Sequence, residues 1–344
     1  MTHAAAARPL PPGLLSFLRE ESDPASLTRR LDLPAAPLDP ESWEQALFGP
    51  ARDFLSRPGK GFRGKLVELG WEMGGGPARS CPADLPFIVE LLHAGSLIVD
   101  DVEDGAAHRR GEPALHHTWG IPLAINTGTW MYFAALDRIA RLDVPPPCAA
   151  RLQQDAVRTL LRCHHGQALD LAIDVLSLRQ SEVRRTVEAT TRLKTGCLVA
   201  FAASAGAVAA QAPSHVVEAL SQLGMRLGVA LQMLDDRGSI LSPARLEKGL
   251  EDVRERRPTW PWAWAASSAD EVGYARLVRT ARRSLSSDPG AVVEALQRAL
   301  PRDRATEPHE LLARALADVE RATGPSRALE EVREHARVLE AAYA

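Results

Sequence analysis

The chain has 344 residues, which is long enough for one large domain or two ordinary ones. Hydrophobic residues make up 45% and charged residues 25%, as in ordinary globular proteins, and the formal net charge is −3. This charge provides no bulk attraction to nucleic acid, so we expect no nucleic-acid partner.

Helical signals dominate from one end of the chain to the other. Ala, Leu, Arg and Glu are abundant, and Pro and Gly clusters separate the helical segments. The predicted helices cover 41–56, 60–73, 85–103, 121–140, 148–175, 180–210, 214–237, 262–285, 291–299 and 307–342. We predict an all-α domain of about ten helices over residues 25–344, and residues 1–24 are a candidate for a mobile N-terminal segment. The longest apolar runs fall short of the ~20 residues that span a bilayer, so no transmembrane segment is predicted.

An acidic cluster closes one of the most apolar predicted helices. The run 91–104 reads LLHAGSLIVDDVED, and positions i and i+4 share a helix face, so Asp100 and Asp104 point together with Asp101 beside them. Burying such carboxylates is costly unless cations neutralise them, and carboxylate oxygens suit Mg²⁺. The alternative is a solvated last turn. Negative charge at a helix C-terminus opposes the helix dipole, which argues against that alternative.

Basic residues lie on both sides of this cluster. The segment 59–63 reads GKGFR and includes Lys60 and Arg63, while Arg109 and Arg110 follow the acidic residues. Guanidinium forks and a lysine charge near Mg²⁺ and carboxylates are suited to a diphosphate. The glycine-rich run lacks the spacing of a nucleotide-binding P-loop, so we do not interpret it as one.

A second acidic pair closes another apolar helix. The run 228–240 reads GVALQMLDDRGSI, with Asp235 and Asp236 near its end and Gln232 one turn before Asp236. Lys194 and Thr195 lie on an earlier apolar helix. Two aspartate clusters on separate helices, with basic residues from other segments, indicate a metal–diphosphate site in a helical bundle.

The cysteines show no disulfide or zinc pattern. They are Cys81, Cys148, Cys163 and Cys197. A chain this large and this poor in cysteine is not a disulfide scaffold, so we predict reduced thiols and a cytoplasmic location. Two histidines follow Cys163, but adjacent helical residues point in different directions, so we predict no zinc site there.

Seven motifs in order resemble those of the trans-isoprenyl diphosphate synthase (polyprenyl synthetase) family. The resemblance runs from about residue 55 to about residue 265. The matching segments are GKxxR at 59–63, HxxSLxxDDxxD at 93–104, RRG at 109–111, GQxxD at 166–170, KT at 194–195, QxxDD at 232–236, and Asp252, Arg257, Thr259 and Pro261. The resemblance implies the isoprenoid synthase fold, a helical bundle around a central cavity, and a homodimer.

The resemblance also implies a role for each matching residue. Mg²⁺ on the allylic diphosphate would be held by Asp100, Asp101, Asp104, Asp235 and Asp236. That diphosphate would be bound by Arg109, Lys194 and Arg257. The diphosphate of isopentenyl diphosphate would be bound by Lys60, Arg63, His93 and Arg110. Thr195 and Gln232 would place oxygen dipoles near the allylic carbocation.

The resemblance therefore predicts a Mg²⁺-dependent prenyltransferase that joins isopentenyl diphosphate to an allylic diphosphate. Gly95 stands five places before Asp100, where short-chain members have an aromatic floor, so we expect a product of geranylgeranyl length or longer. The family's second motif usually ends in a third acid, but Ser239 occupies that position here. Two alternatives stay open, namely a terpene cyclase-like enzyme and a non-catalytic regulatory subunit of a prenyl synthase.

Overall fold

The computed structural model describes residues 12–32, 39–59, 61–301 and 306–343, and these form two compact units. The first unit covers residues 1–68 and 77–153, and the second covers 69–76 and 154–344. Apart from one short hairpin, the regular elements of the described residues are helices. The predicted all-α fold class is confirmed.

The first unit contains the earlier helices and the hairpin. Its elements are α1 (Pro12–Ser22), α2 (Pro24–Arg30), α3 (Pro40–Trp43), a π-helical segment (Glu44–Phe48), α4 (Gly49–Ser56), α5 (Phe62–Met73, continuing into the second unit), α6 (Asp84–Glu103), β1 (His108–Arg109), β2 (Glu112–Pro113), α7 (Leu115–Trp119), α8 (Ile121–Ala140) and the start of α9 (Pro146–Ala172). Residues 1–11 lie outside the described part of the chain. Phe17 and Leu18 of α1 are fully buried, and the mobility of residues 1–24 stays a prediction.

Helix α6 carries the first aspartate cluster at its C-terminal end. It begins with Asp84 in its first turn, where negative charge is favourable, and buries an apolar face along its length. It ends at the C-cap residue Asp104, and Gly105 follows with a φ of +62°, a left-handed conformation that suits glycine. The acidic residues of α6 therefore lie in its last turn, directly before the point where the helix ends.

Two glycines set the distance between α6 and α8. A methyl group on Gly95 would lie 2.6 Å from the carbonyl oxygen of Gly128 and 3.1 Å from the ring of Tyr132. A methyl group on Gly128 would in turn lie 2.9 Å from Val99. The two backbones are in contact at this point, so Gly95 is a helix-packing residue, and our interpretation of it as an opening for a growing chain was wrong.

The second unit contains the later helices. Its elements are the rest of α9, a 3₁₀ turn (Val175–Ser177), α10 (Gln180–Thr191), a π-helical turn (Arg192–Gly196), α11 (Cys197–Ala209), α12 (Ser214–Leu241), a 3₁₀ turn (Pro243–Arg245), α13 (Leu246–Arg254), α14 (Trp260–Ser268), α15 (Glu271–Ser284), α16 (Pro289–Ala299), α17 (Glu307–Thr323) and α18 (Arg327–Tyr343).

Helices α11 and α12 form the centre of the second unit. Nearly every residue of α11 is buried, and a methyl group on Gly224 of α12 would lie 2.4 Å from the carbonyl oxygen of Val199. Trp260, Trp262 and Trp264 of α14 are buried in an adjoining apolar cluster. Helix α12 is thereby fixed on two sides before it reaches the second aspartate pair at its C-terminal end.

Local caps divide two of the predicted helices. The window 262–285 breaks after Ala269, where the side chain of Asp270 accepts a hydrogen bond from the backbone N–H of Gly273 and starts α15. The window 307–342 breaks at Gly324, which has a φ of +73° and ends α17. The helix over 121–140 has the predicted bounds.

Among the described residues, no helix combines the length and the apolar character needed to cross a membrane.

Candidate active site

The first aspartate cluster pairs with an arginine of the hairpin. Asp101 is fully buried, while Asp100 and Asp104 are half-buried in the same last turn of α6. The Nε of Arg109 donates a 2.7 Å hydrogen bond to Oδ1 of Asp101, and its guanidinium lies 3.6 Å from Oδ2 of Asp100. Burial raises the pKa of Asp101 despite the opposing effect of Arg109. Oδ2 of Asp101 is buried and accepts no hydrogen bond from the described residues.

The chemistry of this cluster fits Mg²⁺ in complex with a diphosphate. Within the described ranges, no three His, Cys, Asp or Glu side chains are already arranged around a metal position. Mg²⁺ is nevertheless commonly held by one or two carboxylates, with water and substrate phosphates completing its octahedral shell. A buried carboxylate oxygen that accepts no hydrogen bond is a suitable ligand for such an ion.

The hairpin that carries Arg109 and Arg110 is held in place by a buried arginine. Arg110 and Gly111 form its turn with φ values of 56° and 85°, as a two-residue hairpin turn requires. Arg57 is 4% exposed and donates hydrogen bonds to the carbonyl oxygens of Pro113 (2.8 Å) and Arg109 (3.4 Å). The Nε and Nη2 of Arg57 also donate hydrogen bonds to Oδ1 of Asp53, at 3.1 and 3.0 Å. Its side chain therefore links α4 to both strands.

A cationic cluster lies around His93 in the same unit. Burial, reinforced by Arg63, Arg110 and Arg109, lowers the pKa of His93 well below its usual value, so the imidazole is neutral. Burial and the neighbouring arginines also lower the pKa of Arg110, against the attraction of Glu90. The structure thus brings together Arg63, His93 and Arg110, as the sequence predicts. Lys60, the fourth predicted member, lies outside the described residues.

In the second unit, the two predicted phosphate-binding cations converge on Asp170. Nζ of Lys194 lies 2.7 Å from Oδ2 of Asp170. The guanidinium of Arg257 donates to the carbonyl oxygen of Asp170 at 2.9 Å and lies 3.4 Å from its carboxylate. Asp170 therefore positions both cations, a role that the sequence motif around it did not specify.

The second aspartate pair divides into two different environments. Asp235 forms ion pairs with Arg245 and Lys248, and although burial opposes its ionisation, these cations lower its pKa. Asp236 is 4% exposed, and burial raises its pKa to about 6. Its two oxygens accept hydrogen bonds from Gln232 (2.7 Å) and from the backbone N–H of Trp260 (2.9 Å). Asp235 is thus held by two cations, whereas Asp236 is held by two hydrogen-bond donors.

Thr195 joins the same network. Its hydroxyl donates a 3.2 Å hydrogen bond to Oε1 of Gln232, and Gln232 in turn donates to Asp236. The π-helical turn that carries Thr195 is therefore linked to α12 and, through Asp236, to α14. Short π-helical turns inside α-helices are frequent at functional sites.

Ser239 is a packing residue rather than a substitute for a third acid. It is 2% exposed and donates a 2.8 Å hydrogen bond to the carbonyl oxygen of Asp236. A methyl group on Gly249 of α13 would lie 2.3 Å from the carbonyl oxygen of Ser239. Helix α13 therefore covers this position.

Sequence reasoning missed Arg57 and Arg245. Arg57 directly precedes a Pro-Gly-Lys segment, but nothing in that pattern indicates that its side chain turns toward the hairpin. Arg245 lies in an ordinary polar stretch, and only the folded chain brings it to Asp235.

These features define a class of protein. Each unit has carboxylates at the end of an apolar helix together with arginine side chains, and the second unit adds Lys194 and Lys248. This is the composition of a helical enzyme acting on metal-bound diphosphates. The sequence model of the family described as polyprenyl synthetase matches residues 44–298, and the chain belongs to this family. The predicted enzyme class, a prenyltransferase of isoprenoid diphosphates, is confirmed.

Individual relatives agree with this assignment. The chain is 30% identical over 254 residues to a geranylgeranyl pyrophosphate synthase of Eremothecium gossypii, a match covering 70% of this chain and 77% of that protein. It is 30% identical to a short chain isoprenyl diphosphate synthase of Methanothermobacter thermautotrophicus, covering 83% and 84% respectively. Three further relatives are matched over 59–66% of their own length.

The fold also matches a solved structure. The crystal structure of a geranylgeranyl pyrophosphate synthetase from Pyrococcus horikoshii superimposes with a TM-score of 0.71 at 23% identity, covering 95% of this chain and 99% of that one. The predicted isoprenoid synthase fold is therefore confirmed.

The hairpin support can be tested by removing Arg57. Arg57→Ala would leave Asp53 and two carbonyl groups without their buried partner, and we expect the free energy of unfolding to fall by about 3 kcal/mol. Arg52→Ala is the matched control, because Arg52 lies on α4, the helix that Arg57 caps, and forms an exposed pair with Glu44. Its loss should cost about 0.5 kcal/mol or less. Urea unfolding followed by circular dichroism measures both changes, and equal losses would contradict the role given to Arg57.

Proposed function

We propose that this chain condenses isopentenyl diphosphate with an allylic diphosphate, in the presence of Mg²⁺, to give a longer trans-polyprenyl diphosphate. The observation that supports this most directly is the pair of anion sites within the first unit. The carboxylates of Asp100 and Asp101 suit a metal-bound diphosphate, and the cluster of Arg63, His93 and Arg110 suits a metal-free one. Two diphosphate sites of different chemistry are what a condensation of two diphosphates requires.

The metal-bound diphosphate would be the allylic one. Asp100, Asp101 and Asp104 of the first unit would hold Mg²⁺, which supplies positive charge to the departing diphosphate. Arg109 would bind the same diphosphate through its guanidinium fork. Within the second unit, Asp235 is proposed to bind Mg²⁺, and Lys194 and Arg257, which Asp170 positions, are proposed to bind diphosphate.

The metal-free site would hold isopentenyl diphosphate. Neutral His93 offers one N–H donor, while Arg63 and Arg110 supply the charge, and Lys60 is proposed to add to it. The bond between the allylic carbon and its diphosphate oxygen breaks, and the electron pair leaves with the diphosphate. The double bond of isopentenyl diphosphate then forms the new carbon–carbon bond, and a proton is lost to the departing diphosphate. The oxygens of Thr195 and Gln232 would stabilise the allylic cation.

The substrate assignment can be tested with Arg63→Gln. We expect the KM for isopentenyl diphosphate to rise about tenfold, with little change in the allylic KM, because a charged hydrogen-bond partner is worth roughly 1.5–3 kcal/mol. Lys65→Gln, two residues along the same helix and paired with Glu68, should leave both constants unchanged. Products are identified by mass spectrometry with Mg²⁺ and again with chelator, which should abolish them.

Each other outcome of that assay contradicts part of the proposal. A rise confined to the allylic KM would show that the two diphosphates are assigned to the wrong sites. A cyclised product formed without isopentenyl diphosphate would indicate a cyclase. No product with any allylic substrate would indicate a non-catalytic subunit, and product formation in chelator would exclude the role given to Mg²⁺.

We also propose a product of about geranylgeranyl length, which the names of several relatives support. Gly95 contacts α8 and cannot be the residue that leaves the path open. Ser96 is half-buried and lies four residues before Asp100, on the same side of α6. A chain extending from a diphosphate held at Asp100 would therefore pass Ser96.

Substitution at this position should change the product length. Ser96→Phe places a ring on the side of α6 that carries Asp100, and we expect a product shorter by at least one five-carbon unit. Ser96→Ala, which adds no bulk, should leave the product unchanged. Liquid chromatography of the dephosphorylated products measures the length, and an unchanged product from Ser96→Phe would place the growing chain elsewhere.

We also propose a homodimer, because two helices carry exposed apolar residues. In the first unit, α8 exposes Ile121, Ile125 and Phe133, and in the second, α9 exposes Val157 and Leu161. Exposed apolar patches commonly mark an interface, and a second copy of this chain is the partner we propose. The cytoplasmic location inferred from the cysteine content stays a prediction.

Light scattering after size exclusion tests the dimer. The wild type should have twice the chain mass of 37.3 kDa, and Phe133→Asp should shift it toward the monomer, because a carboxylate would be buried in the interface. Val338→Asp is the matched control, since Val338 is a similarly exposed apolar residue on α18. A monomeric wild type would contradict the proposal, and so would a dimer unaffected by Phe133→Asp.

A further inference from the structure

Two thiols meet beside the π-helical turn of the second unit. Cys163 lies on α9, Cys197 is the first residue of α11, and their sulfur atoms are 3.4 Å apart. Cys197 is 3% exposed, and its thiol donates a 2.7 Å hydrogen bond to the carbonyl oxygen of Leu193. Cys163 is half-buried, so a small oxidant can approach it from solvent.

The backbones that carry these thiols are already in contact. Gly166 lies one turn after Cys163, and a methyl group there would lie only 2.2 Å from the backbone nitrogen of Lys194. A disulfide has a sulfur–sulfur length of about 2.05 Å, so the two sulfur atoms have to approach by roughly 1.3 Å. Side-chain rotation with a small backbone adjustment can provide such a movement.

The electrostatics favour reaction between the two sulfurs. A hydrogen bond with Cys163 lowers the pKa of Cys197, against the effect of burial and with help from nearby Arg162. The thiolate is the nucleophilic form of cysteine, so Cys197 is suited to attack an oxidised sulfur next to it. Cys81 differs, because burial raises the pKa of its thiol to about 12.

We propose that Cys163 and Cys197 form a reversible disulfide that changes the activity of this chain. A peroxide oxidises the accessible thiol of Cys163 to a sulfenic acid and releases water. The thiolate of Cys197 attacks that sulfur and forms the sulfur–sulfur bond, and the sulfenic hydroxyl leaves as a second water once protonated. The two thiols together give two electrons to one peroxide, and a dithiol reductant restores them by exchange.

The bond would act on residues of the proposed site. Lys194 and Thr195 lie in the turn that ends just before Cys197, where Lys194 pairs with Asp170 and Thr195 with Gln232. Drawing Cys197 toward α9 removes its hydrogen bond to Leu193 and shifts that turn. A displacement of about 1 Å in catalytic groups can lower a rate about a hundredfold. This consequence rests on the proposed function, whereas the formation of the bond does not.

The bond itself is tested on the full chain without any activity assay. The reduced protein is treated with hydrogen peroxide, alkylated, digested and examined by mass spectrometry. We expect one intramolecular link between the peptides that contain Cys163 and Cys197, and its absence after Cys163→Ser or Cys197→Ser. Cys81→Ser and Cys148→Ser are the matched controls and should retain it. If both thiols remain open to alkylation after peroxide treatment, the proposed site is wrong.

The functional consequence is tested in a second arm. Peroxide should lower the rate of product formation by the wild type at least tenfold, and dithiothreitol should restore it. Cys163→Ser should be insensitive to peroxide, and Cys163→Ala serves in its place if that variant does not fold. If the disulfide forms but the rate of product formation is unchanged, the proposed effect of the disulfide on activity is wrong. If the reduced wild type makes no product, the proposed function fails, and the peptide map still decides whether the bond exists.

Discussion

The burial of carboxylates at the ends of two apolar helices is the constraint on which the rest of this structure depends. Asp101 and Asp236 each lose nearly all contact with solvent, and burial raises the pKa of both. A desolvated carboxylate is stable only with donors or cations around it. Arg109 meets this need at Asp101, and Gln232 with a backbone N–H meets it at Asp236. The hairpin that follows α6 supplies the donor to Asp101, and α12 itself together with the start of α14 supplies the donors to Asp236.

Close backbone packing makes that convergence possible. Gly95 and Gly128 let α6 approach α8, and Gly166 lets α9 approach the turn that carries Lys194. The hairpin is fixed separately, by Arg57, which donates hydrogen bonds to a carbonyl oxygen of each strand. Gly128 and Arg57 lie outside the motifs, and Gly95 and Gly166 lie inside them but act through helix packing rather than through charge. The preorganisation of the charged groups is therefore a property of the packed helices rather than of the motifs alone.

The sequence was sufficient to predict the helical class, the family and the convergence of Arg63, His93 and Arg110. These depend on periodic patterns and on motifs whose spacing is retained in the folded chain. The sequence was insufficient to predict the role of Gly95, because the absence of a side chain is compatible both with an open path for the growing chain and with a contact between two helices. It was also insufficient for Arg245, whose pairing with Asp235 depends on the course of the chain between α12 and α13. Contacts of this kind depend on tertiary structure, which leaves no local signal.

The central claim is that the buried carboxylate of Asp101 binds a metal-bound diphosphate, and calorimetric titration with inorganic pyrophosphate tests it most directly. We expect Mg²⁺ to increase the affinity of the wild type at least tenfold over its value in chelator. Asp101→Asn should lose that increase, whereas Glu103→Gln, an exposed residue of the same turn, should keep it. An affinity that does not depend on Mg²⁺, or an Asp101→Asn variant with the full Mg²⁺ effect, would contradict the claim.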